Sequence, residues 1–270
     1  MVDVKIGFIG AGQMARALAS GFVRAGRVEA HQIWASDPVE AAGRAFVDQT
    51  PGARHASSNA EVAQAAELLF LAVKPQQIGE VLAQLQPVVG PRHLIVSIAA
   101  GVSLTRLAEG LGDGPRLMRV MPNTACLVGQ SASGYSRGLG ATDEDCSLVG
   151  ELLSAVGRAY FLDEKLLDAV TGLAGSGPAF VYLMIEALSD GGVSMGLPRE
   201  TATALAAQTV RGAAEMVVVS SEHPGVLKDR VASPGGTTIA GLQALEAGGV
   251  RAALIAAVQA ATRRATELGQ

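Results

Sequence analysis

Two segments more than two hundred residues apart carry residue types that can do chemistry. Near the N-terminus, Gly10-Ala11-Gly12-Gln13-Met14-Ala15 fits the pattern G-x-G-x-x-G/A. In that pattern the first glycine makes a tight turn and the second lets backbone approach a pyrophosphate. The small last residue lets a helix lie close to a strand. An apolar run ending at Ile9 precedes it and a helical pattern follows, so context as well as spacing points to a dinucleotide site. A ligand-free strand-to-helix turn is the bland alternative. Far downstream, Ser233-Pro234-Gly235-Gly236-Thr237-Thr238 runs into the helical pattern Ile239-Ala240-Gly241-Leu242. Such a turn presents free N–H groups at the positive end of a helix dipole. Two threonine hydroxyls stand beside them, and the set suits a small carboxylate. A dinucleotide and a carboxylate together imply redox chemistry on a small acid.

The end of the second expected strand, Ile33-Trp34-Ala35-Ser36-Asp37-Pro38, bears on which dinucleotide fits. An acid there accepts ribose hydroxyls and suits NAD, whereas a 2′-phosphate wants Arg, Lys, Ser or Thr. Ser36 favours the phosphate and Asp37 repels it; a helix-capping role for Asp37 stands beside both. Later strand ends supply Ala72, Val73, Lys74 and Pro75, then Ile98, Ala99, Ala100 and Gly101, then Asn123. Ligands of open parallel sheets gather at such ends. Lys74 either meets phosphate or ribose or is simply solvated. The small residues at 98–101 leave room for a nicotinamide ring. Asn123 either orients that ring or the substrate, or stabilises a turn.

These ends need a sheet to hold them. Apolar runs at 4–9, 32–35, 68–73, 94–98 and 117–121 alternate with helical patterns at 14–25, 41–49, 60–66, 78–85 and 104–111. The alternation predicts a parallel sheet covered on both faces, completed by a helix at 146–155 and a strand at 159–162. After Asp163 the period becomes helical: Leu166, Leu167, Val170, Leu173 and Ala174, then Ala202, Leu205, Ala206, Thr209, Val210 and Ala213. The expected organisation is an α/β Rossmann domain over 1–163 and an all-α domain over 164–270. Pro198 fits a first helical turn, and the valines at 217–219 read as a helix end. Thr171-Gly172-Leu173-Ala174-Gly175-Ser176-Gly177-Pro178 is a costly helix, with Pro178 set to kink or interrupt it. Its glycines imply a close backbone approach, or merely that interruption.

Composition narrows the rest. The net charge of −4 offers no basic footprint for nucleic acid or an anionic membrane. Apolar runs stay short of the roughly 18 residues that span a bilayer. Cys126 and Cys146 are the two cysteines, and without nearby ligand partners they form neither a zinc site nor a disulfide framework. The first strand begins almost at once, leaving no room for a signal peptide. The expectation is a soluble, cytoplasmic protein with no metal, nucleic acid or membrane partner.

Taken together the motifs resemble the pyrroline-5-carboxylate reductase family over nearly the whole chain. The carriers are the stretch from Gly7 to Ala15, residues 71–75, Arg119-Val120-Met121-Pro122-Asn123-Thr124, residues 170–179, Asp190-Gly191-Gly192-Val193-Ser194-Met195-Gly196-Leu197-Pro198-Arg199, residues 223–229 and, most specifically, residues 233–246. The resemblance implies NAD(P)H-dependent reduction of the cyclic imine pyrroline-5-carboxylate to L-proline. It implies a Rossmann domain joined to a helical dimerisation domain, with two subunits interlocked and dimers commonly assembled into decamers. By that resemblance Ser233, Gly235, Gly236, Thr237 and Thr238 hold the substrate carboxylate, and Thr238 reaches the ring nitrogen as the catalytic group. Glu164 lines the substrate site. Cofactor contacts fall on Ile9, Gly10, Ala11, Gly12, Gln13, Met14, Ser36, Asp37, Asn59, Ala72–Pro75, Ile98–Ala100, Asn123 and Arg230. NADP(H) is favoured, with NAD(H) open because Asp37 stands where some members have serine. Ala125 departs from the proline that members often carry after Asn-Thr, which affects loop stiffness.

Imine reduction needs a hydride donor, a held substrate and a proton on nitrogen, but no strong base. The β-hydroxyacid dehydrogenases share this two-domain plan and are the rival reading. They place lysine four residues after the last helix glycine and asparagine four further on. Here those positions are Val181 and Ile185. Alcohol oxidation needs a base, so this favours an imine. A dinucleotide-sensing protein would not need the 233–238 turn.

Overall fold

The computed structural model describes residues 4–269. By packing, the chain divides into two compact units, one of residues 1–176 with 259–270 and the other Gly177–Val258. The sequence reading drew its boundary at 163. Packing draws it later, after a helical stretch that lies against the sheet.

Among the described residues the first unit holds eight strands: β1 (Ile6–Ile9), β2 (Ile33–Ser36), β3 (Arg54–His55), β4 (Leu68–Leu71), β5 (Leu94–Ser97), β6 (Arg116–Met121), β7 (Ser131–Arg137) and β8 (Gly157–Phe161). They form one sheet in the order β3-β2-β1-β4-β5-β6-β7-β8. Helices α1 (Gln13–Arg24), α2 (Glu40–Gln49), α3 (Asn59–Ala65), α4 (Ile78–Leu85), α5 (Leu104–Leu111) and α6 (Asp143–Ser154) connect the strands, and the short α7 (Leu167–Val170) follows β8. Strand side chains alternate between faces, and two cores result. Phe8 and Phe70 point to one face, where their rings stack at 5.1 Å beside Phe22 and Phe46. Ile9, Leu69, Leu71 and Ile95 point to the other, against Val62, Leu82, Leu85 and Leu107.

The sheet is not wholly parallel, as the alternation predicted. β7 runs antiparallel to β6 and parallel to β8. Its sequence, Ser131-Ala132-Ser133-Gly134-Tyr135-Ser136-Arg137, is small and polar and lacks an apolar alternation. The inner serines are satisfied in place: Ser131 Oγ and Ser133 Oγ lie 2.9 Å apart, both buried. β3 is too short to leave a pattern.

After α7 the helix widens into a π turn, Thr171–Gly175, closed by Ser176 N–H donating to Thr171 O at 2.9 Å. This is the interruption that the glycines and Pro178 signalled. The second unit contains α8 (Gly177–Ser194), α9 (Arg199–Ser220), α10 (Pro224–Arg230) and α11 (Thr237–Ala247); α12 (Val250–Leu268) starts in it and ends in the first. The valines at 217–219 fall in the last turn of α9, as expected. α8 and α9 pack antiparallel-wise through a turn held by Arg199, whose guanidinium donates to Ser189 Oγ at 3.0 Å and to Asp190 at 2.5 Å. One helical stretch, Glu164–Ser194, is long and apolar enough by length and composition to cross a membrane, with mean hydropathy 1.3. A search for uninterrupted apolar runs misses it because glycine, serine and single charges dilute the run.

Candidate active site

The glycine turn sits where β1 ends. Gly10 takes φ +96, and a side chain there would come within 2.8 Å of the Ala72 carbonyl. Gly12 is the N-cap of α1 and has open space where a side chain would stand. The first turn of α1 carries no acid and its N-cap makes no side-chain hydrogen bond, so the positive end of the helix is left without a counter-charge of its own, which suits an anion. A cavity of about 250 Å³ continues from Gly10 past the ends of β2 and β4, lined by Ser36, Asp37, Asn59 and Val73 among others. A glycine cradle, an uncapped helix start and a polar cleft beyond it fit a dinucleotide's pyrophosphate and adenosine half. Ile9 is buried beneath the turn, its carbonyl accepting from Ala72 N–H at 2.8 Å.

Asp37 does more than either sequence alternative supposed. Its Oδ2 accepts from the Ala11 N–H at 2.9 Å, and its Oδ1 accepts from the Val39 N–H at 2.9 Å. One carboxylate therefore ties the glycine turn to the start of α2. A carboxylate has about four acceptor positions, so room remains for ribose hydroxyls. Behind it Ser36 Oγ donates to Asn59 Oδ1 at 2.6 Å, and Asn59 Nδ2 donates to Gln84 Oε1 at 2.7 Å. Ser57, Ser58, Gln77, Glu80 and Gln84 also line the cleft and went unread in the sequence. A signal was there: Ser58-Asn59-Ala60-Glu61 is a capping pattern. Ser58 Oγ accepts from Glu61 N–H at 3.2 Å, and hydrogen bonds from Ser57 hold the Glu61 carboxyl below its usual range.

The nicotinamide-side residues lie at the next strand ends. Ile98 N–H donates to Leu71 O at 3.1 Å, and Ala99 N–H to Ser97 Oγ at 3.4 Å. Lys74 is exposed and forms no ion pair among the described residues, and Pro75 opens a short 3₁₀ turn. The backbone of Gly101, at φ +76, is packed against the last turns of α12 near Ala265 and Gly269. Met14 receives the Cys126 thiol at 3.5 Å, and burial pushes that thiol up to about 11. Neither property makes Cys126 a nucleophile.

A second cluster was read in part. Glu164 Oε1 accepts from Leu104 N–H at 2.7 Å and from Arg119 Nη1 at 3.4 Å. Arg119, buried in β6, also donates to Asp168 Oδ1 at 2.6 Å, and Asp168 Oδ2 accepts from Thr266 Oγ1 at 3.0 Å. The sequence named Glu164 but not the arginine that holds it. A charged residue inside an apolar strand, Arg119 in Leu117-Met118-Arg119-Val120, was the available signal.

In the second unit the 233–238 segment takes the expected form. Gly236 N–H donates to Ser233 O at 3.0 Å, Gly235 sits at φ +66, and Gly236 caps α11. Ser233 Oγ occupies the space a side chain on Gly236 would take. The hydroxyls of Thr237 and Thr238 have no hydrogen-bond partner among the described residues, and Thr238 is half-buried. Gly235, Gly236 and Ile239 border an open cavity of about 520 Å³. Arg230, expected among the cofactor contacts, lies on α10 in this unit. Its guanidinium is committed to Glu222, with Nη2 on Oε1 at 2.7 Å and Nη1 on Oε2, and that pair raises its pKa.

The comparisons with known proteins can now be set beside this geometry. The family profile "Pyrroline-5-carboxylate reductase dimerisation" matches residues 164–268, and "NADP oxidoreductase coenzyme F420-dependent" matches residues 5–101. Pyrroline-5-carboxylate reductase of Pisum sativum is 48% identical over 97% of this chain and 95% of its own. The enzyme of that name from Methanosarcina acetivorans is 47% identical over the full length of both. Among solved structures, the Plasmodium falciparum pyrroline carboxylate reductase with NADP bound is 34% identical, covers both chains completely and superimposes with a TM-score of 0.90. A glycine turn at the carboxyl end of an interior parallel strand, a helical segment matched by a dimerisation profile and full-length identity near one half agree: this chain belongs to the pyrroline-5-carboxylate reductase family.

Proposed function

We propose that the protein reduces L-1-pyrroline-5-carboxylate to L-proline with NAD(P)H. The observation that carries this reading is the 233–238 turn, whose two unengaged threonine hydroxyls stand at the open start of an eleven-residue helix. It occurs in a chain whose full-length relatives bear that enzyme's name. Ser233, Gly235, Gly236 and Thr237 hold the substrate carboxylate through turn N–H groups and hydroxyl. When bound, the dihydronicotinamide supplies the hydride. Thr238 Oγ1 accepts from the N–H of a ring nitrogen that arrives protonated, or donates to the lone pair of a neutral one, which then takes its proton from water. Holding the carboxylate fixes the imine carbon for transfer over roughly 3–3.5 Å. Glu164, kept in place by Arg119, borders the substrate.

NADP(H) is the preferred cofactor in this reading, and NAD(H) is accepted. Ser58, whose hydroxyl accepts from Glu61 N–H and keeps its own hydrogen, favours a 2′-phosphate at the cleft, and Asp37 opposes it. Two copies interlock through the helical unit, with dimers gathered into a decamer, and the enzyme works in the cytoplasm, where its two free thiols stay reduced. The exposed apolar side chains of α8, in the second half of Glu164–Ser194, then belong to a subunit interface and not to a bilayer span.

Steady-state assays with pyrroline-5-carboxylate test the proposal. Oxidation of NADPH, and more slowly of NADH, is the expected result. No turnover with either cofactor overturns it.

A further inference from the structure

The π turn at Thr171–Gly175 leaves a debt that a residue on another element settles. In a continuing α-helix the carbonyl of Ala174 would accept from the N–H four residues on. That residue is Pro178, which has none. The Asn123 side chain supplies the missing donor: Nδ2 donates to Ala174 O at 3.0 Å. Asn123 stands just beyond the end of β6 and is 7% exposed. It is itself held firmly, its Oδ1 accepting from Ala125 N–H and Ala132 N–H, each at 3.3 Å, and its own N–H donating to Ser131 Oγ at 3.3 Å. Met121, two residues before it, has its methyl group where a side chain on Gly175 would stand, 2.5 Å from that position. The π turn is therefore latched to the end of β6 at two adjacent points.

The sheet order says which part of the cofactor this end serves. From the glycine turn at β1, the adenosine cleft runs toward β2, past Ser36, Asp37 and Asn59. The other half of a dinucleotide must cross the ends of β4, β5 and β6. Asn123 lies on that side, and its Oδ1 and one of its two amide hydrogens are engaged within the protein.

We infer that Asn123 is a positioning residue: its amide substitutes for the N–H that Pro178 lacks and sets the π turn over the nicotinamide end of the sheet. The inference rests on the nicotinamide reading above. It makes the stability and the placement of the turn separable, because only the first can be restored from within the helix.

The test uses the full-length protein. Calorimetry compares NADP⁺ with 2′-phospho-ADP-ribose, which lacks the nicotinamide. In Asn123→Ala the fragment should bind within about twofold of the parent, while the extra affinity of the full dinucleotide falls about tenfold. Turnover should fall by on the order of ten- to a hundredfold, the scale of a 1 Å misplacement, and the primary isotope effect from 4-deuterated NADPH should rise. Adding Pro178→Ala returns an N–H to the Ala174 carbonyl. It should recover the melting temperature but not the nicotinamide increment. Should Asn123→Ala fail to fold, Asn123→Ser reads the same quantities. A variant that melts lower yet keeps the increment, turnover and isotope effect makes Asn123 a strut and overturns the inference. Recovery of everything by Pro178→Ala overturns it too. If the parent protein reduces no pyrroline-5-carboxylate, the functional reading fails, and the binding comparison still decides the role of Asn123.

Discussion

The two units of this chain bury their side chains very differently. The first fills both faces of its sheet with fully buried Phe, Leu, Ile and Val. In the second, α8 buries Ser189, α9 buries Ala202 and Ala206, and α10 and α11 bury none of their residues. Its large apolar residues stand exposed instead: Leu183 at 66%, Leu205 at 54% and Val219 at 73%. Large apolar residues left exposed along two packed helices are the kind of surface that association covers. One unit is a finished core and the other leaves its apolar side chains open, and a dimerisation profile that matches 164–268 points to self-association.

The sharpest way to break that contrast is to charge the open face. Leu183→Glu with Leu205→Glu should halve the mass in light scattering or lower it further, abolish turnover, and melt the helical signal in circular dichroism. Trp34, the chain's single tryptophan, lies in β2 and should report an unchanged first unit. An unchanged mass and activity would mean that the face is not the interface. Next in size, Thr238→Ala should cost at least about tenfold in kcat/KM for the imine, roughly 1.4 kcal/mol, with dinucleotide affinity intact. Wild-type kinetics would remove Thr238 from the chemistry. The smallest effect is expected from the opposite unit. Asp37→Ser should move the NADPH-to-NADH ratio about three- to tenfold toward NADPH, on the order of 1 kcal/mol, and leave the imine KM alone. An unmoved ratio would confine Asp37 to holding the Ala11 and Val39 N–H groups.

Legibility followed the same division. β4 is an uninterrupted apolar run and β5 is one up to its last residue, Ser97, so the sequence announces them, and the glycine turn announces the cofactor site. β7 is hard to see in the sequence because two serines on one face bond each other instead of making apolar contacts. Arg119 and Asn123 were hard for a related reason. Their importance lies in partners 45 to 51 residues away, Glu164 and Ala174, which only the folded chain brings near. The open face of α8 and α9 reads as an ordinary helical core until the missing side of it is noticed.

The final helix carries one more consequence. Its last turns belong to the first unit, where Thr266 bonds Asp168 and Ala265 and Gly269 flank Gly101. The Rossmann unit is thus interrupted in sequence by the whole of the other. A nascent chain that has emptied all eight strands from the ribosome still lacks the piece that backs the loop after β5. The reductase's first domain to begin is also the last to be completed.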